Sequence, residues 1–359
     1  MNMTPTKALP QQILRIIDVN LNRASEGLRV IEDVARLVLN DAAISGQIKT
    51  MRHRIVEGDL KLNKHLVGAR DARGDVGINL KTPGQAGGKD MPLVLVANSR
   101  RVQESLRTLE ELTRTGGIDL GLDPESFKQS RFELYTIEQE MLSRLLRQDK
   151  AKLIRGLCAI IDTQALKGRL HHEVAKQVIH GGARVVQLRD KVLPKKELLP
   201  IAIKLKELCA GHNVLFIIND HLDIALASDA DGVHLGQNDL PVRVARRLLP
   251  IDKILGCSTN TLEQALTAEA DGADYIGIGS IYPTSSKETA VIVEPERLRQ
   301  MRRAVSLPII AIGGINEDNA AEVISAGADA IAVISAILKT ESPEKAARQI
   351  VARIEAAND

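Results

Sequence analysis

Apolar residues at Ile13, Ile16, Ile17, Leu21, Ala24, Leu28, Ile31, Val34, Ala35 and Val38 recur every three or four positions. That spacing places them on one face of a helix, and it predicts a single amphipathic helix over residues 11–39. Similar periods predict further helices over 46–62, 99–115 and 125–148. A stretch rich in Gly and Asp, roughly 67–90, reads as a long loop between them. From residue 156 the pattern changes. Short β-branched runs at 156–162, 184–190, 214–220, 232–236, 254–259, 275–281, 308–314 and 330–336 alternate with helical periods such as 198–208, 262–270 and 319–326. Strands that alternate with helices specify a parallel sheet, and eight such units in about 205 residues fit a compact (β/α)8 barrel. The pairs Gly182-Ala183, Asp231-Gly232, Gly272-Ala273 and Gly327-Ala328 sit at the starts of runs and read as one repeated turn. The polar segment 148–152 is the expected seam. The predicted class is therefore α/β, with a TIM barrel over residues 151–359 preceded by a mostly helical domain over 1–150.

Composition narrows the function. The chain has 359 residues, 44% of them hydrophobic and 26% charged. No apolar run approaches the ~20 residues needed to span a bilayer, so a membrane role is not expected. Lys and Arg number 48 against 46 Asp and Glu, giving a net charge of +2 and no global field to attract nucleic acid. Three Phe, three Tyr and no Trp leave few platforms for stacking on bases. Cys158, Cys209 and Cys257 form no Cys-x-x-Cys pair, which argues against a zinc site or a disulfide framework. The first residues lack the apolar stretch of a secretory signal, so the expected location is cytoplasmic. Small-molecule substrates are the expected partners, and a homo-oligomer is compatible with this composition.

The helical part contains an echo. Asn20, Arg23, Glu26, Leu28, Arg29, Glu32 and Arg36 recur 78 residues later as Asn98, Arg101, Glu104, Leu106, Arg107, Glu110 and Arg114. This suggests a duplicated helical unit. Glu26/Arg29 and Glu32/Arg36 read as helix-surface pairs worth about 0.2–0.5 kcal/mol each. A sharper reading gathers Arg29, Arg107, Arg70, Asp71, Arg73 and Asp75 around a phosphorylated ligand.

In a barrel of this kind the carboxyl ends of the strands share one mouth. Gln187, Arg189 and Lys191 alternate at the end of the second run, so all three side chains point to one side. Two cations and an amide suit a multiply charged anion, the alternative being a salt-linked plug with carboxylates such as Asp162. Asp220 and Asp239 follow the third and fourth runs and suit Mg²⁺ beside a diphosphate, although an isolated Asp239 could equally cap a helix. Ser258 ends the fifth run. Thr284, Ser285, Ser286 and Lys287 follow the sixth as an anion-grasping lid or a plain surface turn. Gly313-Gly314 and Ile334-Ser335 end the seventh and eighth, where this fold commonly holds a phosphate. The reading is a Mg²⁺-assisted diphosphate site facing a monophosphate site, with Cys257 filling the strand rather than acting as a nucleophile.

Residues 156–340 resemble the thiamine-phosphate synthase family. The resemblance rests on Gln187-Leu188-Arg189-Asp190-Lys191, Asn219-Asp220, Gly236-Gln237-Asn238-Asp239, Gly256-Cys257-Ser258-Thr259, Pro283-Thr284-Ser285-Ser286-Lys287, Ala311-Ile312-Gly313-Gly314-Ile315 and Val333-Ile334-Ser335. Ser286 stands where the family often has Thr, and Asn260 where many members carry His. The resemblance implies transfer of a pyrimidinylmethyl group from hydroxymethylpyrimidine diphosphate to thiazole phosphate. It further implies that Gln187, Leu188, Arg189, Asp190, Lys191, Asn219, Ser258 and Lys287 hold the pyrimidine diphosphate, with Arg189, Lys191, Ser258 and Lys287 catalytic. Asp220 and Asp239 would bind Mg²⁺, and Thr284, Ser285, Ser286, Gly314, Ile334 and Ser335 the thiazole phosphate. The helical part resembles the extra domain that precedes this synthase in some bacterial, cyanobacterial-type chains, where it is regarded as an alternative hydroxymethylpyrimidine-phosphate kinase. That resemblance rests on Asn20-Leu21-Asn22-Arg23-Ala24-Ser25-Glu26-Gly27-Leu28-Arg29 and Ala69-Arg70-Asp71. No Walker-type phosphate loop accompanies it. The competing readings are a non-synthase barrel, such as a thiazole tautomerase or phosphate-binding regulator, and a helical docking or dimerisation module.

Overall fold

Helix α1 spans Gln11–Asp33 and passes into a π-helical turn at Val34–Val38, in a computed structural model that describes residues 11–56, 60–71, 90–115, 120–283 and 295–358. The predicted helix 11–39 thus ends in a widened turn, after which Asn40 takes a left-handed backbone with φ of 51°. Helices α2 (Ala42–Val56), α3 (Leu60–Gly68), α4 (Met91–Arg114) and α5 (Pro124–Ala151) follow. α4 starts eight residues before the periodicity predicts, because Asp90 caps it by accepting from the Leu93 N–H at 3.1 Å and Pro92 lies in the first turn. The chain divides into two units, Met1–Leu146 and Arg147–Asp359. The polar segment 148–152 closes α5 ahead of β1.

In the first unit α1 packs along α4. Their contact passes over Gly27, where a Cβ would stand 2.5 Å from Val102 Cγ2. The echoed residues repeat in structure as well. Asn20 and Asn98 each donate to the carbonyl four residues back, Ile16 and Val94, at 2.8 Å. Glu32 is buried against Arg52 of α2 at 3.1 Å, and Glu110 against Arg131 of α5 at 2.9 Å. The repeated glutamates therefore each pair with an arginine of the following helix. Arg29 instead reaches Asp33 at 3.8 Å, Arg36 reaches Asp33 at 3.1 Å, and Arg107 spans Glu110 and Glu111. Glu26 and Glu32 are not the partners of Arg29 and Arg36. Arg70 clasps Asp18 through two bonds of 2.7 and 2.9 Å, while Arg73 and Asp75 lie outside the described residues.

The second unit runs β1 (Gly156–Asp162), α6 (His171–His180), β2 (Val185–Arg189), α7 (Lys195–Ala210), β3 (Leu215–Asn219), α8 (Leu222–Ala227), β4 (Gly232–Leu235), α9 (Val242–Leu248), β5 (Ile254–Thr259), α10 (Leu262–Ala270), β6 (Tyr275–Ile278), α11 (Pro295–Ala304), β7 (Ile309–Ile312), α12 (Ala320–Ser325), β8 (Ala330–Val333), α13 (Ser335–Leu338) and α14 (Pro343–Asn358). All neighbouring strands pair in parallel and β8 closes on β1. Residues facing the helices, such as Val186, Leu188, Phe216 and Val233, form the outer core, while Cys158, Ile160, Val185, Ile217, Ile254, Tyr275 and Ile310 fill the barrel. No helix among the described residues is long and apolar enough to cross a membrane.

At the amino ends of the strands an aspartate clamp repeats. Asp231, Asp274 and Asp329 precede β4, β6 and β8, and each accepts the N–H that opens or adjoins the preceding strand, from Phe216, Leu255 and Ile309 at 3.0, 2.8 and 2.8 Å. A cation from a preceding helix completes each clamp: Lys206 at 2.6 Å, Arg246 at 3.1 Å and Arg302 at 2.9 Å. Three of the four turns legible in the sequence thus share one staple, and Gly182-Ala183, followed by Arg184, does not. Asp274 also takes Arg147, near the end of α5.

Candidate functional site

The strand ends enclose a cavity of about 500 Å³, within the range usual for small-molecule sites. Its wall is set by the two-residue period of the strands, which sends Cys158 and Ile160 from β1, Gln187 and Arg189 from β2, Asn219 from β3 and His234 from β4 inward. Lys191, Asp220, Asp239, Ser258, Gly314, Ile334 and Ser335 complete it, so these predicted residues do meet at one mouth. Leu188 and Asp190 do not join them. Leu188 is packed in the outer core, on the opposite face of its strand. Asp190 is buried beneath the loop after β2, where Oδ1 accepts the N–H groups of Val192 and Leu193 at 2.9 and 2.7 Å. Neither side chain lines the cavity: Leu188 packs and Asp190 shapes the loop carrying Lys191. Thr284, Ser285, Ser286 and Lys287 lie outside the described residues.

Both cations of the mouth are paired. Arg189 Nη1 contacts Asp162 Oδ2, and Lys191 Nζ contacts Asp220 Oδ2. The plug anticipated between Arg189 and Asp162 is thus real, but it lines an open cavity rather than closing it. Asp220 has a left-handed backbone with φ of 64°, a costly conformation for a residue with a Cβ. Asp239 caps no helix; its Oδ2 accepts the Gly236 N–H at 2.7 Å and closes the loop after β4.

The two carboxylates interact. Burial pulls Asp220 upward, but hydrogen bonds with Lys191 and the Asp239 side chain outweigh it and leave its pKa below the ordinary value. Burial raises Asp239, opposed by the Gly236 N–H and reinforced by the neighbouring Asp220, so its pKa stands above the ordinary value. A carboxylate pair held this close seeks a proton or a cation. No group of three or more His, Cys, Asp or Glu converges as a metal cage among the described residues.

Opposite them, Gly313 and Gly314 have φ of 102° and 65°. A Cβ on Gly313 would stand 2.0 Å from Ser280 Oγ, and one on Gly314 2.7 Å from the Pro283 carbonyl oxygen, so bare backbone faces the mouth here. Ile334 and Ser335 open α13 on the same wall.

Sequence reasoning missed His234 and Tyr275 and gave no role to Gln237 and Asn260, all of which line the cavity. His234 lies between Tyr275 and Ser258. Burial pushes its pKa down to about 4, partly countered by Asp220, so the imidazole is neutral at pH 7. An unfolded chain takes up this proton near pH 6.5, whereas the folded one resists until about pH 4, so the contribution is lost as pH falls through that window. It is expected to cost on the order of 3 kcal/mol of stability across it. Urea unfolding of His234→Gln at pH 7 and pH 4.5 checks this: the variant should lose less stability on acidification than the parent. Burial also pushes Cys158 and Cys209 up to about 12 and Cys257 up to about 11, leaving all three thiols protonated.

Comparison with known proteins places these features. Residues 157–337 match the family described as Thiamine monophosphate synthase, and residues 15–140 match the ThiD2 family. The chain is 38% identical to a thiamine-phosphate synthase of Synechocystis sp., over 98% of this chain and 99% of the relative. It is 37% identical to the Thermosynechococcus vestitus protein of the same name, over 96% and 95%. The solved thiamine phosphate pyrophosphorylase from Pyrococcus furiosus superposes with a TM-score of 0.54 at 38% identity, covering 58% of this chain and all of that one.

Proposed function

This chain belongs to the thiamine-phosphate synthase family, a family of transferases, and from that premise we propose that its barrel mouth joins a pyrimidine diphosphate to a thiazole phosphate, releasing pyrophosphate. The carrying observation is one cavity with Arg189, Lys191, Asp220 and Asp239 on one wall and the bare backbone of Gly314 beside Ser335 on the other. In this reading Gln187, Arg189, Lys191, Asn219 and Lys287 hold the diphosphate, and Ser258 meets the pyrimidine. Gly314, Ile334 and Ser335 hold the thiazole phosphate together with Thr284, Ser285 and Ser286.

The donor set suits magnesium. Asp220 and Asp239 both line the cavity and shift one another's pKa, and an ammonium stands beside Asp220 as a counter-charge. Two carboxylates without a fuller cage fit an ion that takes its remaining oxygens from water and phosphate. When bound, Mg²⁺ would offset charge on the departing diphosphate.

The chain's own groups do the rest. Arg189 and Lys191 stabilise the negative charge that grows as the bond between the pyrimidine methylene carbon and the diphosphate oxygen breaks, the oxygen keeping the electron pair. The thiazole nitrogen then donates its lone pair to that carbon and becomes quaternary. Gly314 and Ser335 fix its distance by gripping the phosphate. No protein nucleophile is needed, in keeping with three protonated cysteines. A thiazole tautomerase or a phosphate-binding regulator would have no use for the paired carboxylates beside two cations. The reaction belongs to the cytoplasm, with small molecules as its only required partners.

Thiamine phosphate formation from thiazole phosphate, Mg²⁺ and the pyrimidine diphosphate tests the proposal. Product is expected, and folded protein that makes none overturns the reading. A parallel assay with the pyrimidine monophosphate and ATP asks whether residues 1–150 supply the diphosphate: product there assigns them a kinase role, and its absence leaves them as a packing or docking module.

A further inference from the structure

A hydrogen-bonded chain crosses the mouth, and the roles above use only its last member, Ser258. Tyr275 Oη lies 3.1 Å from His234 Nδ1, and His234 Nε2 lies 2.9 Å from Ser258 Oγ. Two glycines make room for it. A Cβ on Gly256 would stand 2.0 Å from Tyr275 Cζ, and one on Gly277 would stand 2.9 Å from His234 Cε1. In register, His234 faces Gly256, Gly256 faces Tyr275, and Ser258 faces Gly277. Strands β4, β5 and β6 alternate bulk and emptiness so that the three side chains can meet.

The direction of the protons follows from what each group can do. Tyr275 is 1% exposed, and among the described residues its hydroxyl has His234 as its hydrogen-bond partner. A buried phenol needs an acceptor for its proton, and Nδ1 is the acceptor present. A neutral imidazole carries one N–H, which then sits on Nε2 and donates to Ser258 Oγ. Ser258 already accepts and lines the cavity, so its own proton remains to be given there. The reverse order would leave the phenol proton buried with no acceptor.

We infer that Tyr275 and His234 are positioning residues that fix the Ser258 hydroxyl as a hydrogen-bond donor into the mouth, so that it selects a lone pair, the ring nitrogen of an aminopyrimidine, over that ring's exocyclic N–H. The second clause rests on the reading that a pyrimidine binds against Ser258. The first does not.

Nitrogen NMR of the full-length protein labelled with ¹⁵N-histidine tests the relay directly, with the His234 signals assigned by their loss in His234→Gln. Protonated Nε2 and bare Nδ1 are expected. A proton on Nδ1 in the unsubstituted protein overturns the inference, whatever the turnover. In Tyr275→Phe the KM for pyrimidine diphosphate should rise about tenfold while that for thiazole phosphate stays unchanged. A merely structural role would move both, and an unchanged pyrimidine KM would count against the relay. A pyrimidine analogue with C–H in place of the ring nitrogen should lose affinity for the parent but little for Tyr275→Phe. Protonated Nε2 with no synthase turnover would retain the relay and overturn only its pyrimidine partner.

Discussion

Asp220→Ala is expected to lower kcat/KM for thiamine phosphate formation by about 10²–10³-fold, the usual cost of removing one preorganised electrostatic group from a transition state. Two effects act together. The substitution removes one of the two carboxylates that suit magnesium, and it releases Lys191, whose ammonium is held at the mouth by Asp220. It does not relieve the left-handed backbone with φ of 64°, since Ala too carries a Cβ and tolerates that region less well than Asp. The folded barrel should therefore survive with circular dichroism unchanged. Steady-state rates across a magnesium titration read the outcome: higher magnesium should restore only part of the rate, because the position of Lys191 is also lost. Near-normal turnover in a folded Asp220→Ala protein would remove Asp220 from the chemistry.

Asp274→Ala should be the most damaging substitution to stability, by about 3–5 kcal/mol, the range seen when one partner of a buried ion pair is removed. The carboxylate is shared by Arg147 and Arg246 and also accepts the N–H of Leu255, the second residue of β5. Burial raises its pKa despite both guanidinium groups, and burial pushes Arg246 down to about 10, so the clamp operates under strong desolvation. Asp274→Asn keeps an acceptor for Leu255 and should lose less. Urea unfolding, with amide hydrogen exchange at the β5 amides, distinguishes the two. Equal stability of Asp274→Ala and the parent would show that the clamp is dispensable.

Much of the barrel is legible in the sequence because its strands are buried on both faces and read as continuous apolar runs. The run at 156–162 coincides with β1 (Gly156–Asp162). The alternation of Gln187, Arg189 and Lys191 likewise gives the inward parity of β2 directly. His234 is different. In Gly-Val-His-Leu it looks like a polar residue in a core strand, and its role emerges only when register sets it beside Gly256 and Tyr275, residues far off in sequence. Asp190 shows the converse, since its position within a motif does not tell that its carboxylate turns to the N–H groups of Val192 and Leu193. In the helical half the echoed Glu32 and Glu110 read as surface charges by periodicity, yet both are buried because an arginine from the next helix neutralises each. The early start of α4 was signalled by Asp90 and Pro92, a cap and a first-turn proline, ahead of any apolar period.

The pairing of Arg189 with Asp162 and Lys191 with Asp220 sets a threshold for any anion that approaches. Binding is an exchange of partners, since each cation must leave a carboxylate as it takes up a phosphate oxygen. A singly charged solute gains little from such a trade, because the displaced carboxylates are left unbalanced in a partly buried space. A diphosphate accompanied by a divalent cation offers both halves of the exchange at once, charge for the cations and charge for the carboxylates. The resting mouth therefore discriminates by the number and sign of the charges that arrive together, ahead of any contact with the ring they carry.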